Sequence, residues 1–217
     1  MGLILYHYVH CPFCIRVRMA IGFLNLKYKS VVLRYDDEET PKKLTGRKML
    51  PALTFGENTI NESLDIIGLI DKDKRLNVDF YKSSESFIEF ETMLNDIASP
   101  IHSITMPYWV YTPEFDDKSR SYFKHKKEAK RGPFSELIKN QHTFLAKLEP
   151  MLQKIENELG PFYQSVELRL QDILIASHLW GLYIVPEFQF SEKMHKYLQG
   201  IKKITHFEYQ QDLLELM

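Results

Sequence analysis

Cysteine is nearly absent from this chain: of 217 residues only Cys11 and Cys14 carry a thiol. Two cysteines three positions apart cannot clip a distant loop, so a disulfide framework of the secreted kind is excluded. Charge of one sign is lacking too. Lys and Arg number 28 against 29 Asp and Glu, a formal net charge of -1, which gives no global attraction to nucleic acid. No run approaches the roughly 18 to 20 continuous apolar residues a membrane-spanning helix requires. Residues 1–6, Met1-Gly2-Leu3-Ile4-Leu5-Tyr6, show neither the basic stretch nor the cleavage pattern of a secretory signal. Internal repeats and low-complexity tracts are missing as well. Apolar residues make up 44% of the chain, with 14 Phe and 12 Tyr, enough for a substantial core and too many for a disordered chain. The expectation is a cytoplasmic protein whose cysteines react.

Residues 3–8 read as a buried strand, and 15–24 repeat apolar residues at helical spacing, with Arg16 and Arg18 on the wetter side. Residues 28–33 form a second strand. The acidic turn Asp36-Asp37-Glu38-Glu39-Thr40-Pro41 leads to a short helix. Residues 50–55 and 59–60 flank Gly56-Glu57-Asn58 as a hairpin, and Ser63 caps a helix over 64–71. This β-α-β-α-β-β-α order is that of a thioredoxin-like α/β domain, placed over 1–74. A charged linker, 75–84, separates it from an all-α domain over 85–217. There the spacing predicts helices over 85–97, stopped by Pro100; 134–159, kinked or split at Pro150; 171–185; 192–202; and 208–216. The basic run over 124–131 reads as a solvated helix face, with an anionic partner as the alternative.

Cys11-Pro12-Phe13-Cys14 falls between a strand and a helix. At a helix start, free backbone N–H groups and the macrodipole favour a thiolate, and Pro12 suits a first turn. Spacing of three puts Cys14 in reach of Cys11, so the second thiol can resolve a mixed disulfide formed at the first. A zinc site would need two further ligands, and His7 and His10 lack the usual spacing. A purely structural pair would constrain little of the unfolded chain. Redox chemistry is the reading that uses both thiols. After such a unit, the bond between Leu50 and Pro51 is expected to be cis, turning the Leu50 backbone toward the sulfurs. Glu62-Ser63 before a helix reads as a cap, an anion site, or both. His10, next to Cys11, is a candidate to tune the thiolate, whereas His178 and His7 read as structural.

With these motifs the chain resembles the glutaredoxins, and among them the two-domain bacterial glutaredoxin 2 family, over essentially its whole length. The resemblance rests on Leu3-Ile4-Leu5-Tyr6, His10-Cys11-Pro12-Phe13-Cys14, Gly46-Arg47-Lys48-Met49-Leu50-Pro51-Ala52-Leu53 and Glu62-Ser63-Leu64-Asp65-Ile66-Ile67. It implies a glutathione-transferase-like architecture and glutathione-dependent reduction of protein disulfides and glutathione mixed disulfides. Cys11 would be the nucleophile and Cys14 the resolving thiol. Pro12, Phe13, Leu50 and Pro51 would line the glutathione groove, and Glu62 and Ser63 would hold the γ-glutamyl end. The implied partners are glutathione and disulfide-containing or glutathionylated proteins, met by a monomer, with no metal, nucleic acid or membrane. Phe13 departs from the usual Tyr, and Arg169 stands where such second domains carry a Ser or Thr cap before the buried Asp, here Asp172. Two alternatives remain: a glutathione transferase using a hydroxyl such as that of Tyr6 or Tyr8, and a transferase-like binding protein without catalysis.

Overall fold

A computed structural model describes residues 2–186 and 188–208. Its first domain runs β1 (Leu3–His7), α1 (Pro12–Phe23), β2 (Tyr28–Val32), α2 (Glu39–Thr45), β3 (Ala52–Phe55), β4 (Asn58–Asn61) and α3 (Ser63–Ile70). The four strands lie in the order β2-β1-β3-β4, with β1 parallel to β2 and the other pairs antiparallel. Leu5 pairs across with Leu53, and both side chains are fully buried under α1 and α3, whose Ile15, Met19, Ile66 and Ile67 complete this layer. Gly56, at a φ of 60°, makes the tight turn from β3 into β4 possible. The register has a consequence for the site. β1 ends at His7, β3 begins at Ala52 opposite Tyr6, and β4 ends at Asn61 opposite Ala52. Cys11, Pro51 and Glu62 therefore all leave the sheet at one end.

The second domain is helical: α4 (Val78–Ser83), α5 (Phe87–Trp109), α6 (Asp117–Arg131), α7 (Phe134–Lys139), α8 (Gln141–Asn157), α9 (Leu170–Leu179), a 3-10 turn (Trp180–Ile184) and α10 (Glu192–Thr205). α9 is buried along nearly its whole length because it lies at the centre, packed against α1, α5 and α10. Asp172 anchors its start. The carboxylate accepts from the N–H of Tyr163 and of Arg169, both at 2.7 Å, and from the Tyr197 hydroxyl at 3.0 Å. The acidic half of the capping arrangement thus works without a Ser or Thr at position 169.

Several expectations need correction. The segment 75–84 is not a bare linker: α4 forms within it, with Val78 and Tyr81 buried. The Asp71 carboxylate starts this segment by accepting from the N–H groups of Arg75, Leu76 and Asn77 at 2.8 to 2.9 Å. α5 does not stop at Pro100 but runs through both Pro100 and Pro107. The carbonyl that Pro100 deprives of a donor belongs to Asp96, which is exposed, while Ile97, Ile101 and Ile104 bury the adjoining face. Burial of three such side chains, about 1.5 to 3 kcal/mol each, outweighs the roughly 3 kcal/mol a mid-helix proline costs. Pro150 does not break α8 for the same reason: it sits on the wet face, between the buried Leu148 and Ile155. The split falls instead at Asn140, whose backbone and side-chain amides both turn back onto the Glu136 carbonyl. Ser63 is the first helical residue of α3 rather than its cap, a position taken by Glu62. Arg16 is buried, not on a wet face. The helix expected over 208–216 lies outside the described residues beyond Glu208.

Candidate active site

Cys11 is the N-cap residue of α1, in extended conformation, and its carbonyl accepts from the N–H groups of Cys14 and Ile15 at 2.9 Å. Pro12 follows at the first helical position, where a missing N–H leaves nothing unpaired. The two thiols live in different surroundings. Cys11 is partly open to solvent, and Phe13 beside it stands 45% exposed. Cys14 is sealed inside, and its sulfur accepts from the Tyr8 N–H at 3.4 Å. Proton affinities separate accordingly. A hydrogen bond from the Cys14 thiol, aided by the N–H groups of Cys14 and Phe13 and the charge of Arg16, holds Cys11 down to about 7 against the opposing effect of burial. Burial pushes the Cys14 thiol well up, and the sulfur of Cys11 beside it adds to the rise. One thiol is thus acidified and the other holds its proton.

Across the groove, the peptide bond between Leu50 and Pro51 is cis. Leu50 packs in one cluster with Tyr8, Cys14 and Ala52, against which Cys11 and Tyr35 also rest. At the third corner, Glu62 is exposed with a φ of 72° and turns the chain into α3. The first bond of α3 runs from the Ile66 N–H to the Glu62 carbonyl, so the amides of Ser63, Leu64 and Asp65 have no acceptor within the helix. All eight site residues expected from the sequence sit at the sheet end described above. Among the described residues no three His, Cys, Asp or Glu side chains gather as a metal ion would require, and no helix is long and apolar enough to cross a membrane.

Sequence reasoning missed what the helical domain brings to this groove. His10 is buried in an aromatic shell with Tyr8, Tyr35, Trp109, Phe115 and Phe123, ring centroids 5.1 to 5.9 Å away. Its Nδ1 lies 3.6 Å from Glu114 Oε1, but burial lowers its proton affinity, so it does not act on Cys11 as a standing cation. His7 is structural, donating to or accepting from Ser30 Oγ at 2.7 Å. The basic run of α6 is mostly solvated, as expected. Lys127 is the exception: its ammonium is half-buried, 5.5 Å from the Tyr35 ring centroid and 5.4 Å from that of Phe123. Burial lowers its proton affinity, and the nearby sulfur of Cys11 acts to restore it. Glu38, just before α2, binds across the domain boundary to the Tyr122 hydroxyl and to Lys126, the latter at 3.1 Å. The available signal was the spacing of Tyr122, Phe123, Lys126 and Lys127, which marks one helix face as aromatic and basic together.

Comparison with known proteins matches both halves of this architecture. Residues 89–212 match the family model described as Glutaredoxin 2, C terminal domain, and residues 5–77 match that of the Glutathione S-transferase, N-terminal domain. Glutaredoxin 2 of Escherichia coli (strain K12) is 28% identical over 207 residues, covering 93% of this chain and 94% of that protein. The crystal structure of glutaredoxin 2 from Salmonella typhimurium, solved in complex with glutathione, superposes with a TM-score of 0.85 at 26% identity, covering 98% of each chain. A glutathione transferase from Phanerochaete chrysosporium shares the fold, with a TM-score of 0.79 at 18% identity over 96% of this chain and 98% of that one. The first family model alone takes in more than half the residues, and the chain belongs to the glutaredoxin 2 family, as an enzyme of the glutaredoxin class.

Proposed function

We propose that this protein reduces glutathione mixed disulfides and protein disulfides with glutathione as electron donor, through Cys11 as nucleophile and Cys14 as resolving thiol. The observation that carries the reading is the asymmetry of the pair: an accessible, acidified sulfur at a helix start, backed by a buried, protonated one. In the first step the Cys11 thiolate attacks the glutathione sulfur of a glutathionylated protein. The old S–S bond breaks, the protein thiolate leaves and takes a proton from water, and a Cys11–glutathione disulfide remains. A second glutathione thiolate then attacks that disulfide, releasing oxidised glutathione and the Cys11 thiolate. On a protein disulfide, Cys14 gives up its proton and attacks the mixed disulfide at Cys11. An internal disulfide forms, and two glutathione molecules reduce it. Because burial holds the proton on Cys14, the glutathione route is favoured whenever glutathione is abundant.

Pro12, Phe13, Leu50 and Pro51 form the walls we assign to the glutathione groove. The Leu50 backbone would pair with the cysteinyl part of the tripeptide, and Ser63 with Glu62 would hold the γ-glutamyl end against the free amides of α3. The glutathione bound to the Salmonella typhimurium relative supports the choice of thiol. A donor kept reduced in the cytoplasm suits a cytoplasmic protein, which we take to act as a monomer on disulfide-containing proteins. Conjugation by a hydroxyl is the weaker reading, since burial raises the proton affinity of Tyr8 rather than lowering it. The test is a glutathione-coupled reduction assay with mass spectrometry of the Cys11 adduct. Cys11→Ser is expected to lose activity, and Cys14→Ser to keep reduction of mixed disulfides while losing most reduction of protein disulfides. Full thiol transfer by Cys11→Ser would refute the proposal.

A further inference from the structure

Arg16 stands two residues beyond Cys14 on α1, with only 3% of its surface exposed. Its guanidinium lies 4.6 Å from the centroid of the Phe13 ring, and one terminal nitrogen donates to Nε2 of His178, on α9 of the helical domain, at 3.2 Å. Arginine only donates, so Nε2 must accept, and the ring carries its proton on Nδ1. Burial, reinforced by the facing guanidinium, keeps His178 neutral. Among the described residues no carboxylate comes into ion-pairing range of Arg16, and its Nε has no partner. Glu91 acts on it only through space, its own carboxylate accepting from the Tyr81 hydroxyl at 2.7 Å. A guanidinium out of water and without an anion is costly. The Phe13 ring that Arg16 covers lies between the two cysteines of the motif, and after Glu91 it is the Cys11 sulfur with which Arg16 interacts electrostatically.

We propose that His178 is a positioning residue of the redox centre, holding Arg16 against Phe13 as the standing counter-charge of the Cys11 thiolate. The proposal rests on the reading of Cys11 as the attacking thiolate. It has a redox consequence. The thiolate exists only in the reduced protein. Once Cys11 is in a disulfide, with glutathione or with Cys14, Arg16 loses the attraction of that sulfur and keeps only the more remote influence of Glu91. A fixed cation therefore favours the reduced form and makes the disulfide the stronger oxidant. Because α1 and α9 belong to different domains, the docking of the two domains contributes to the acidity of the thiol, on top of the larger effect of Cys14.

The test is titration of Cys11 in the reduced full-length protein by ultraviolet thiolate absorbance, over a range in which the buried Cys14 stays protonated. Lys127, the other cation near Cys11, is retained in every variant. His178→Leu, which cannot accept, is expected to raise the midpoint by about half a unit, a threefold loss in the thiolate-to-thiol ratio. His178→Gln, whose amide oxygen can accept, is expected to restore the wild-type midpoint to within about 0.2. Arg16→Met is expected to shift it at least as far as His178→Leu. A folded His178→Leu protein with the wild-type midpoint would overturn the proposal, as would a shift in His178→Gln equal to that in His178→Leu, which would make the ring a packing element. Nitrogen NMR of the wild-type protein needs no variant to fold. Nε2 is expected to be unprotonated, with a shift that moves as Cys11 titrates; a proton on Nε2 overturns the proposal. A wild-type Cys11 midpoint at the free-thiol value of about 8.5 would instead refute the reading of Cys11 itself, and this coupling with it.

Discussion

Replacing Cys14 by Ala removes the thiol that donates to the Cys11 sulfur, the largest of the influences that hold Cys11 near 7. A hydrogen bond of this kind contributes about 1 kcal/mol, and at about 1.4 kcal/mol per unit its loss raises the Cys11 midpoint by about 0.7. At pH 7 the thiolate fraction then falls from about one half to about one sixth, a threefold loss. The more basic thiolate is the better nucleophile: with a Brønsted slope of about 0.45, the same 0.7 unit returns about twofold. Cys14→Ala should therefore alkylate about 1.5-fold more slowly than wild type at pH 7 and about twofold faster once both sulfurs are ionised, with the two profiles crossing at about pH 7.4. The assay is iodoacetamide labelling across pH, followed by mass spectrometry. The variant has a single cysteine, so every adduct reports on Cys11, and in wild type the sealed Cys14 does not compete. Cys14→Ser, whose hydroxyl can still donate, should lie nearer to wild type. Profiles that never cross, with the variant slower at every pH, would mean that Cys14 governs access rather than proton affinity. A variant midpoint at or below that of wild type would refute the argument outright.

Three further outcomes follow from other parts of the molecule. Burial raises Asp172 to about 6 despite its three hydrogen bonds, so the native state binds a proton more tightly than the unfolded chain. Wild-type stability relative to Asp172→Asn should therefore fall, by on the order of 3 kcal/mol, as pH rises from about 4 to above 6, measured by urea titration; a flat difference would refute the raised affinity. A methyl group at Gly22 would stand 1.7 Å from the Thr205 carbonyl oxygen, forcing α1 and α10 apart. Gly22→Ala should lower the melting temperature by about 4 to 8 °C, as overpacking of about 2 kcal/mol does in a chain of this size, and an unchanged melting temperature would refute the contact. Lys127→Met should raise the Cys11 midpoint and slow alkylation about twofold below that midpoint, and equal profiles would mean that Lys127 does not act on the sulfur.

How much of this was legible in the sequence depended on whether the determinants were local. Cys11-Pro12-Phe13-Cys14, Leu50-Pro51 and Glu62-Ser63 are short, and each defines its own backbone environment, so they could be named as candidates before the strand order that gathers them was known. Proline misled for the opposite reason. Pro100 and Pro150 are local stop signals, but long-range burial of Ile97, Ile101 and Ile104, and of Leu148 and Ile155, decides whether a helix continues. The basic run of α6 reads as solvated because most of it is, and only the position of Tyr35 and Phe123 makes Lys127 differ from Lys124 or Lys126.

Arg16 shows why the remainder could not be read. Two-sided packing removes the periodicity that tells an inside face from an outside one. α1 is covered by α3 on one side and by α9 and α10 on the other, so Cys14, Ile15, Arg16, Val17 and Met19 are all buried. In an isolated thioredoxin-like domain the second side would face water, and an arginine there would be an ordinary surface residue. Here the helical domain dries that side, and with His178 it converts the same arginine into a fixed charge. The wall that α6 and the end of α5 supply around His10 follows the same logic, since Trp109, Phe115 and Phe123 exclude the water that would otherwise let His10 ionise. The second domain thus does more than cover one side of α1. By removing water from one face of α1, it selects which nearby groups carry charge: Arg16 stays a cation while His10 and His178 are held neutral, and this is the electrostatic setting in which the proposed Cys11 nucleophile would act.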